Sequence, residues 1–92
     1  MTDNTKDYCG ICFIGGGSSW AYAVTPQEAA IKAAKQCKRD WKTLYKFNRK
    51  HELEVCIYDM KKHDGWYADH RGVFDSESKQ EIPLLEVLTV TV

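Results

Sequence analysis

The pattern of apolar and polar positions predicts two strands near the start of the chain. Tyr8 to Ile14 and Trp20 to Val24 are rich in the aromatic and β-branched residues that strands favour. Between them, the run Gly15-Gly16-Gly17-Ser18-Ser19 suits a flexible turn. We therefore expect a β-hairpin, preceded by a polar and flexible N-terminus over residues 1–7.

The segment Thr25-Pro26-Gln27-Glu28 matches the start of a helix. Thr25 suits the N-cap, Pro26 suits the first helical position, and Glu28 completes a capping box. Beyond it, apolar residues recur with the helical period to about Phe47. The predicted helix, Pro26 to about Phe47, buries a face of small and apolar side chains: Ala30, Ala33, Ala34, Cys37, Trp41 and Leu44.

The second half of the chain predicts further strands. Leu53 to Met60 alternates, which is typical of a half-buried strand. A hairpin loop, Lys61 to Gly65, leads into a second strand, Trp66 to Phe74, with a bend at Gly72. Ile82 to Val92 is the last predicted strand. In the strand Leu53 to Met60, one face is expected to carry Leu53, Val55 and Ile57, and the other Glu54, Cys56 and Tyr58.

These elements predict an α+β fold in the order β-β-α-β-β-β, with a single long helix packed on a small antiparallel sheet. A chain of 92 residues has room for one domain, which we place over residues 1–92. A domain of this size buries a thin core, which disfavours a deep enzyme pocket. No apolar run reaches the roughly 18 residues that span a bilayer, and the polar start is unlike a secretory signal. We expect a cytoplasmic protein.

The net charge of zero hides an uneven distribution of charge along the chain. Between Ala30 and Lys50, eight basic residues stand against the single acid Asp40, whereas from His51 to Val92 nine acids outnumber four bases. Six of the bases recur every three or four residues and fall within an arc of about 100° on the predicted helix. We call these six the basic stripe: Lys32, Lys35, Arg39, Lys42, Lys46 and Arg49.

The basic stripe predicts a binding surface. Neighbouring like charges weaken a helix by a few tenths of a kcal/mol per pair, so a stripe without acids is expected to have a compensating use. The partners that fit are nucleic-acid phosphates and an acidic or nucleic-acid-holding protein surface. Trp66 and Tyr67 on the second hairpin are expected to add contacts to the partner. The alternatives are a solvated face without a role, or neutralisation by the acidic strands.

The cysteines are the first candidates for other chemistry. Cys9-Gly10-Ile11-Cys12 has the spacing of a zinc knuckle or a redox motif. Zinc needs two further ligands, and Cys37 and Cys56 are solitary, without a second short-spaced pair. A redox pair usually begins at a helix N-terminus, whereas this one lies in a predicted strand. We expect reduced core thiols, with Cys9 and Cys12 on opposite faces and Cys37 near Cys56 across the core. No metal or cofactor is predicted.

Two further patterns do not predict catalysis. The glycine run Gly15 to Gly17 lacks the Lys-Ser or Lys-Thr pair and the helix of a phosphate-binding loop. His51, His63 and His70 lie beside acids, but neighbours on a strand point apart and such residues in loops are usually solvated. We find no nucleophile with a recognisable base, so we expect a protein that is not an enzyme.

The segments Thr25–Cys37, Glu54–Tyr58 and Gly65–Asp69 carry two resemblances. The chain resembles small periplasmic domains with a capped alanine-rich helix that ends near one cysteine and a strand with its disulfide partner. The polar start of the chain counts against that family. In size and β-α-β-β arrangement it also resembles small phage-encoded anti-CRISPR proteins that block type I-F surveillance complexes. This second resemblance implies a rigid domain that docks on protein subunits of a crRNA-guided complex and obstructs target DNA.

The expected function is therefore that of a non-enzymatic inhibitor. It docks through the basic stripe, together with Trp66 and Tyr67, on protein subunits of a host nucleoprotein, where nucleic-acid contacts are also expected. The alternative is a direct DNA- or RNA-binding module that uses the same helix. A metal or thiol protein is the third hypothesis.

Overall fold

The structure is a computed structural model that describes residues 7–14, 17–45, 52–69 and 71–91. This part of the chain contains one helix and six strands, which confirms the predicted α+β fold with a helix packed on an antiparallel sheet. In chain order the elements are β1 (Tyr8–Ile14), β2 (Gly17–Ala23), α1 (Pro26–Tyr45), β3 (Glu52–Asp59), β4 (Trp66–Asp69), β5 (Gly72–Asp75) and β6 (Glu86–Thr91).

The main sheet has four antiparallel strands in the order β2-β1-β3-β6. β1 and β2 form the predicted hairpin, with Ile14 opposite Gly17 at its closed end. The helix then crosses over the sheet, so that β3 pairs with the far side of β1. β6 pairs with β3 and forms the edge of the sheet opposite β2.

The helix begins with the predicted capping box. The Glu28 backbone N–H donates to the Thr25 hydroxyl at 3.2 Å, and that hydroxyl donates to the Glu28 carboxylate at 3.3 Å. The Ala29 N–H closes the first turn on the Thr25 carbonyl at 3.0 Å. The structure describes the helix backbone to Tyr45 and its side chains to Asp40. The predicted helix end near Phe47 and the side chains of Trp41 and Leu44 lie outside the described range.

A first core lies between the helix and the sheet. The helix contributes mainly alanines, which let its backbone come close to β1. A Cβ added at Gly10 would lie 2.6 Å from the Ala29 carbonyl oxygen, so only glycine fits the sheet at this point. The buried members of this core are Cys12, Ala23, Ala29, Ala30, Ala33, Ala34, Cys37, Val55 and Ile57.

A second core covers part of the opposite face of the sheet. There the β4–β5 hairpin packs on the sheet through Trp66 and Val73, and Ile82 follows them into the same cluster. The Trp66 indole donates to the Tyr22 hydroxyl at 2.7 Å. The two predicted faces of β3 are therefore confirmed: Leu53, Val55 and Ile57 belong to the helix side, and Cys56 and Tyr58 to this side.

The predicted hairpin around Lys61–Gly65 is wrong in its pairing. β3 pairs with β1 and β6, and the chain after Gly65 leaves the main sheet. The predicted strand Trp66 to Phe74 is divided into β4 and β5, which pair only with each other among the described strands. The division falls at the predicted bend, where Gly72 has a φ of 143° that other residues rarely adopt.

The last strand is shorter than predicted. The Ile82 N–H donates to the Val73 carbonyl at 2.8 Å, which holds Ile82 beside β5 and in the second core. Pro83 follows, and regular pairing with β3 begins only at Glu86. Val92, the last residue of the predicted strand, lies outside the described residues.

Candidate binding surface on the helix

The described members of the basic stripe lie together on the outer face of α1. Lys32, Lys35 and Arg39 are exposed, whereas the alanines on the other side of the helix are buried against the sheet. Lys42 continues the same spacing within the helix, but its side chain is outside the described range. Lys46 and Arg49 lie outside the described residues. The predicted grouping therefore holds for the part of the stripe that is described.

These three cations have no acidic partner in the described part of the chain. The ion pairs found there join Lys61 to Asp59, Arg71 to Asp69 and His63 to Asp75. On the stripe itself, the Arg39 guanidinium donates to the side-chain oxygen of Gln36 at 3.2 Å. Over residues 7–14, 17–45, 52–69 and 71–91, the acidic strands therefore do not neutralise Lys32, Lys35 or Arg39.

Asp40, the acid within the basic segment, is engaged on another side of the helix. Its carboxylate accepts a hydrogen bond from the buried Ser19 hydroxyl at 2.9 Å and another from the Gln36 amide at 2.8 Å. The first of these bonds ties α1 to the edge strand β2. Asp40 therefore serves the attachment of the helix to the sheet, and the stripe keeps its positive character.

A groove runs beside the stripe, between α1 and β6. It has a volume of about 460 Å³, and Ile31 and Lys35 stand on its helix wall. Sequence reasoning missed this groove, because it results from the position of the helix over β2 and β1. The available signal was Ile31, an apolar residue on the polar side of the helix that is 44% exposed. The groove is lined by Gln27, Ala30, Ile31, Lys35, Leu88, Thr89, Val90 and Thr91.

Trp66 and Tyr67 lie away from the basic stripe. Trp66 packs on the side of the sheet opposite the helix, with its ring edge-to-face against Trp20 at 5.6 Å between centroids. Tyr67 stacks on Phe74 at 5.5 Å, and the Lys79 ammonium lies 5.5 Å from its ring centre. The structure thus does not bring these two aromatic residues and the stripe into one surface.

The cysteines are distributed over both cores. Cys9 and Cys12 point to opposite faces of β1, as predicted. The predicted approach of Cys37 to Cys56 is wrong, because Cys56 points away from the helix; Cys37 instead lies with Cys12 in the first core. All four thiols are free. Burial raises the pKa of both Cys9 and Cys12 to about 12, which keeps these thiols protonated at neutral pH.

The side chains of His63, which precedes β4, and Asp75, at the end of β5, contact each other; we call this pair the clasp. The His63 Nδ1 atom lies 2.5 Å from the Asp75 carboxylate, which also accepts the backbone N–H groups of Ser78 at 2.9 Å and Glu77 at 2.8 Å. The Ser78 amide, His63 and the Glu77 amide together lower the pKa of Asp75 to about 2. The clasp orders the loop after β5. His51 and His70 lie outside the described residues.

The chain matches no family model, no curated protein and no solved structure. Among the described residues, no group of three or more His, Cys, Asp and Glu side chains is arranged to hold a metal ion. The described helix lacks the combination of length and apolar character needed to cross a membrane.

Proposed function

We propose that the chain is a non-enzymatic docking protein whose basic stripe binds an anionic surface of a nucleoprotein complex. The observation that supports this proposal is the group formed by Lys32, Lys35 and Arg39. They are exposed on one helix face, without a carboxylate partner in the described part of the chain. Like charges in register destabilise a helix, so an anionic partner that relieves their repulsion gains affinity.

The helix presents these charges on a rigid support. Residues 32 to 39 span about 10 Å along the axis at roughly 1.5 Å per residue. The alanine face, the capping box at Thr25 and the bond from Ser19 to Asp40 hold the helix on the sheet. A partner therefore meets a row of cations whose backbone positions are already fixed, which lowers the backbone conformational entropy lost on binding.

A nucleoprotein suits the chain better than extended naked nucleic acid. Exposed carboxylates at Glu52, Glu54 and Glu86 lie on the two strands at one edge of the sheet. They would repel a phosphate backbone that continued past the helix in that direction. Phosphates or carboxylates held locally on a protein surface avoid this repulsion. From the resemblance to type I-F inhibitors, we propose a crRNA-guided surveillance complex as the partner and obstruction of target DNA as the consequence.

The experiment measures how much of a purified type I-F surveillance complex the immobilised protein retains. The test variant carries Lys35→Glu and Arg39→Glu together, and the matched control is Lys62→Glu, which reverses an exposed cation away from the helix. We expect the double variant to lose the complex and its block on target DNA binding, with little change in melting temperature. Equal retention by the double variant and the control would overturn the proposal.

A direct DNA- or RNA-binding module is the second candidate, because the same three cations, which have no carboxylate partner among the described residues, suit free phosphates. It predicts retardation of naked nucleic acid in a gel-shift assay. Each neutralised phosphate contributes a slope of about −0.9 to the dependence of log affinity on log salt, so three contacts give about −3. Retardation with that slope favours this candidate. Retention of the complex without retardation of nucleic acid favours the docking protein.

A further inference from the structure

The outer side of β6 is an unguarded strand edge. β6 ends the order β2-β1-β3-β6, and no described strand pairs with its outer side. Edge strands carry unpaired backbone donors and acceptors, and proteins usually block them with lysine, proline or a covering loop. β6 has one charged residue, Glu86 at its start, and from Val87 to Thr91 it has neither a charged residue nor a proline. Its backbone is therefore open to pairing with another extended chain.

The other edge strand, β2, has contacts on both of its faces. α1 packs most extensively on β2 and is attached to it through Ser19 and Asp40. On the opposite face, Trp66 bonds to Tyr22 and packs against Trp20. By comparison, the helix makes only slight contact with β6. Neither edge pairs with a further described strand, and the helix side of β6 is the less covered of the two.

The groove beside β6 determines which side chains an added strand would place there. Leu88 and Val90 form its half-buried floor, and Ile31 and Lys35 form the helix wall. A strand paired with β6 would lie about 4.8 Å away, with alternate side chains directed into the groove. Apolar side chains there would contact Ile31 and the floor, and a carboxylate would meet the Lys35 ammonium.

We propose that β6 accepts an extended acidic segment of a protein partner by β-strand addition, in which main-chain hydrogen bonds supply affinity and the groove supplies selectivity. On the helix side of this edge, charge complementarity identifies the occupant's groove-facing side chains as partly acidic. The exposed Glu52 and Glu54 alternate with Leu53 and Val55 and so lie on the other side of the sheet, and Glu86 is not among the groove-lining residues. Lys35 lines the groove, and Lys32 stands beside it on the exposed face of the helix; neither has a carboxylate partner in the described part of the chain. The acidic character of the segment rests on the proposed function, in which the basic stripe binds an anionic partner. The inference adds that the partner's protein component carries this segment.

A second copy of this chain is a poorer occupant of the same edge. The carboxylate that β6 itself carries is Glu86, at the start of the strand and outside its groove-lining residues 88–91. Pairing of two β6 edges would also bring a second basic stripe towards the first, and like charges brought together oppose association. Both considerations favour an acidic strand from another protein.

The test uses a fluorescent peptide about ten residues long, the upper end of ordinary strand lengths. Every second residue is threonine, and the residues between are valine and glutamate in turn, so that the face directed into the groove carries both apolar and acidic side chains. A matched peptide has lysine in place of glutamate. Binding is followed by anisotropy with the unmodified protein and with Lys35→Glu, Ile31→Glu and Lys62→Glu. Ile31 is exposed, so its replacement leaves the core intact, and a thermal melt verifies this.

We expect the acidic peptide to bind and the lysine peptide not to bind. Lys35→Glu and Ile31→Glu should each weaken binding at least about tenfold, which corresponds to about 1.4 kcal/mol. Lys62→Glu should leave it unchanged. Hydrogen exchange of the backbone amides over residues 87–91 should slow when the acidic peptide is added, because strand addition protects that edge.

Several outcomes would overturn the inference, and they separate it from the proposed function. If the acidic peptide binds without slowing exchange at 87–91, and Ile31→Glu has no effect, the edge is not its site. If the peptide does not bind while the surveillance complex is still retained through the stripe, the edge proposal alone fails. If the acidic peptide does not bind and the surveillance complex is not retained, both proposals fail. Protection of 87–91 that grows with protein concentration alone would identify a second copy as the occupant.

Discussion

The Ser19 hydroxyl donates a hydrogen bond to the Asp40 carboxylate at 2.9 Å and thereby joins β2 to the helix. Ser19 is 2% exposed, whereas Asp40 is exposed, so this bond lies at the boundary between the core and the solvent. It also explains the position of the single acid within a basic segment. Asp40 is bonded towards β2 and forms no ion pair with the exposed cations that the structure describes in the basic stripe.

Ser19→Ala should therefore destabilise the fold. A hydrogen bond to a charged group contributes about 1.5 to 3 kcal/mol, and the remaining bond from Gln36 to Asp40 moderates the loss. We expect a decrease of about 1 kcal/mol in the free energy of unfolding, or about 4–8 °C in melting temperature. Thermal unfolding checks this. Ser18→Ala is the control, and an equal effect of the two variants would contradict the assignment.

Gly10→Ala should disturb the contact between the helix and the sheet. The new Cβ would lie 2.6 Å from the Ala29 carbonyl oxygen, a backbone atom that moves only with the helix. Overpacking of this kind costs about 1–3 kcal/mol. Urea unfolding should show a lower midpoint. Gly65→Ala provides the comparison, because its nearest contact is the Ser76 side chain at 3.3 Å; a larger loss at Gly65 would refute the prediction.

The acid dependence of stability should include a contribution from Asp75. Its pKa is lowered from 3.8 to about 2 by the Ser78 amide, His63 and the Glu77 amide. A carboxyl group with a lowered pKa stabilises the folded state above its unfolded pKa, and the stabilisation is lost as pH falls from about 4 towards 2. Unfolding measurements between these pH values should show a weaker pH dependence for Asp75→Asn. Asp64→Asn should retain the dependence of the unmodified protein, and identical profiles for all three would contradict the clasp.

The buried thiols should react slowly with alkylating reagents. Raising a thiol pKa from 9.0 to about 12 lowers the thiolate fraction at neutral pH by about 10³-fold, and the thiolate is the reactive form. Cys56, which is only half-buried, should be modified before Cys9, Cys12 and Cys37. Mass spectrometry of the native protein after timed exposure to iodoacetamide checks the order. Early modification of Cys9 or Cys12 would show that the core opens readily.

Local patterns were sufficient to predict the helix start and the faces of β3. The capping box at Thr25 depends on residues within one turn, and the alternation from Leu53 reports burial directly. The packing of Trp66 on Tyr22 was not predictable in this way, because 44 residues separate the two. Strand alternation predicts which side chains share a face but does not identify the neighbouring strand, so the edge position of β6 also emerged only from the fold.

The candidate site was predictable to the same extent. Helical spacing grouped Lys32, Lys35 and Arg39, because that period depends only on helix geometry. In the described chain these three side chains have no carboxylate partner, and this depends on how the acidic strands fold relative to the helix, which helical spacing does not predict. The sequence also placed Trp66 and Tyr67 with the stripe, whereas the hairpin that carries them folds onto the opposite face of the sheet.

The affinity of the protein for a type I-F surveillance complex, measured by biolayer interferometry at low and moderate salt, tests the central claim most directly. The account predicts at least about tenfold weaker binding for the combined Lys35→Glu and Arg39→Glu variant, a loss of about 1.4 kcal/mol or more, with Lys62→Glu unchanged. It also predicts that binding of the unmodified protein weakens as salt increases. Equal affinities for the double variant and the unmodified protein, at both salt concentrations, would contradict docking through the basic stripe.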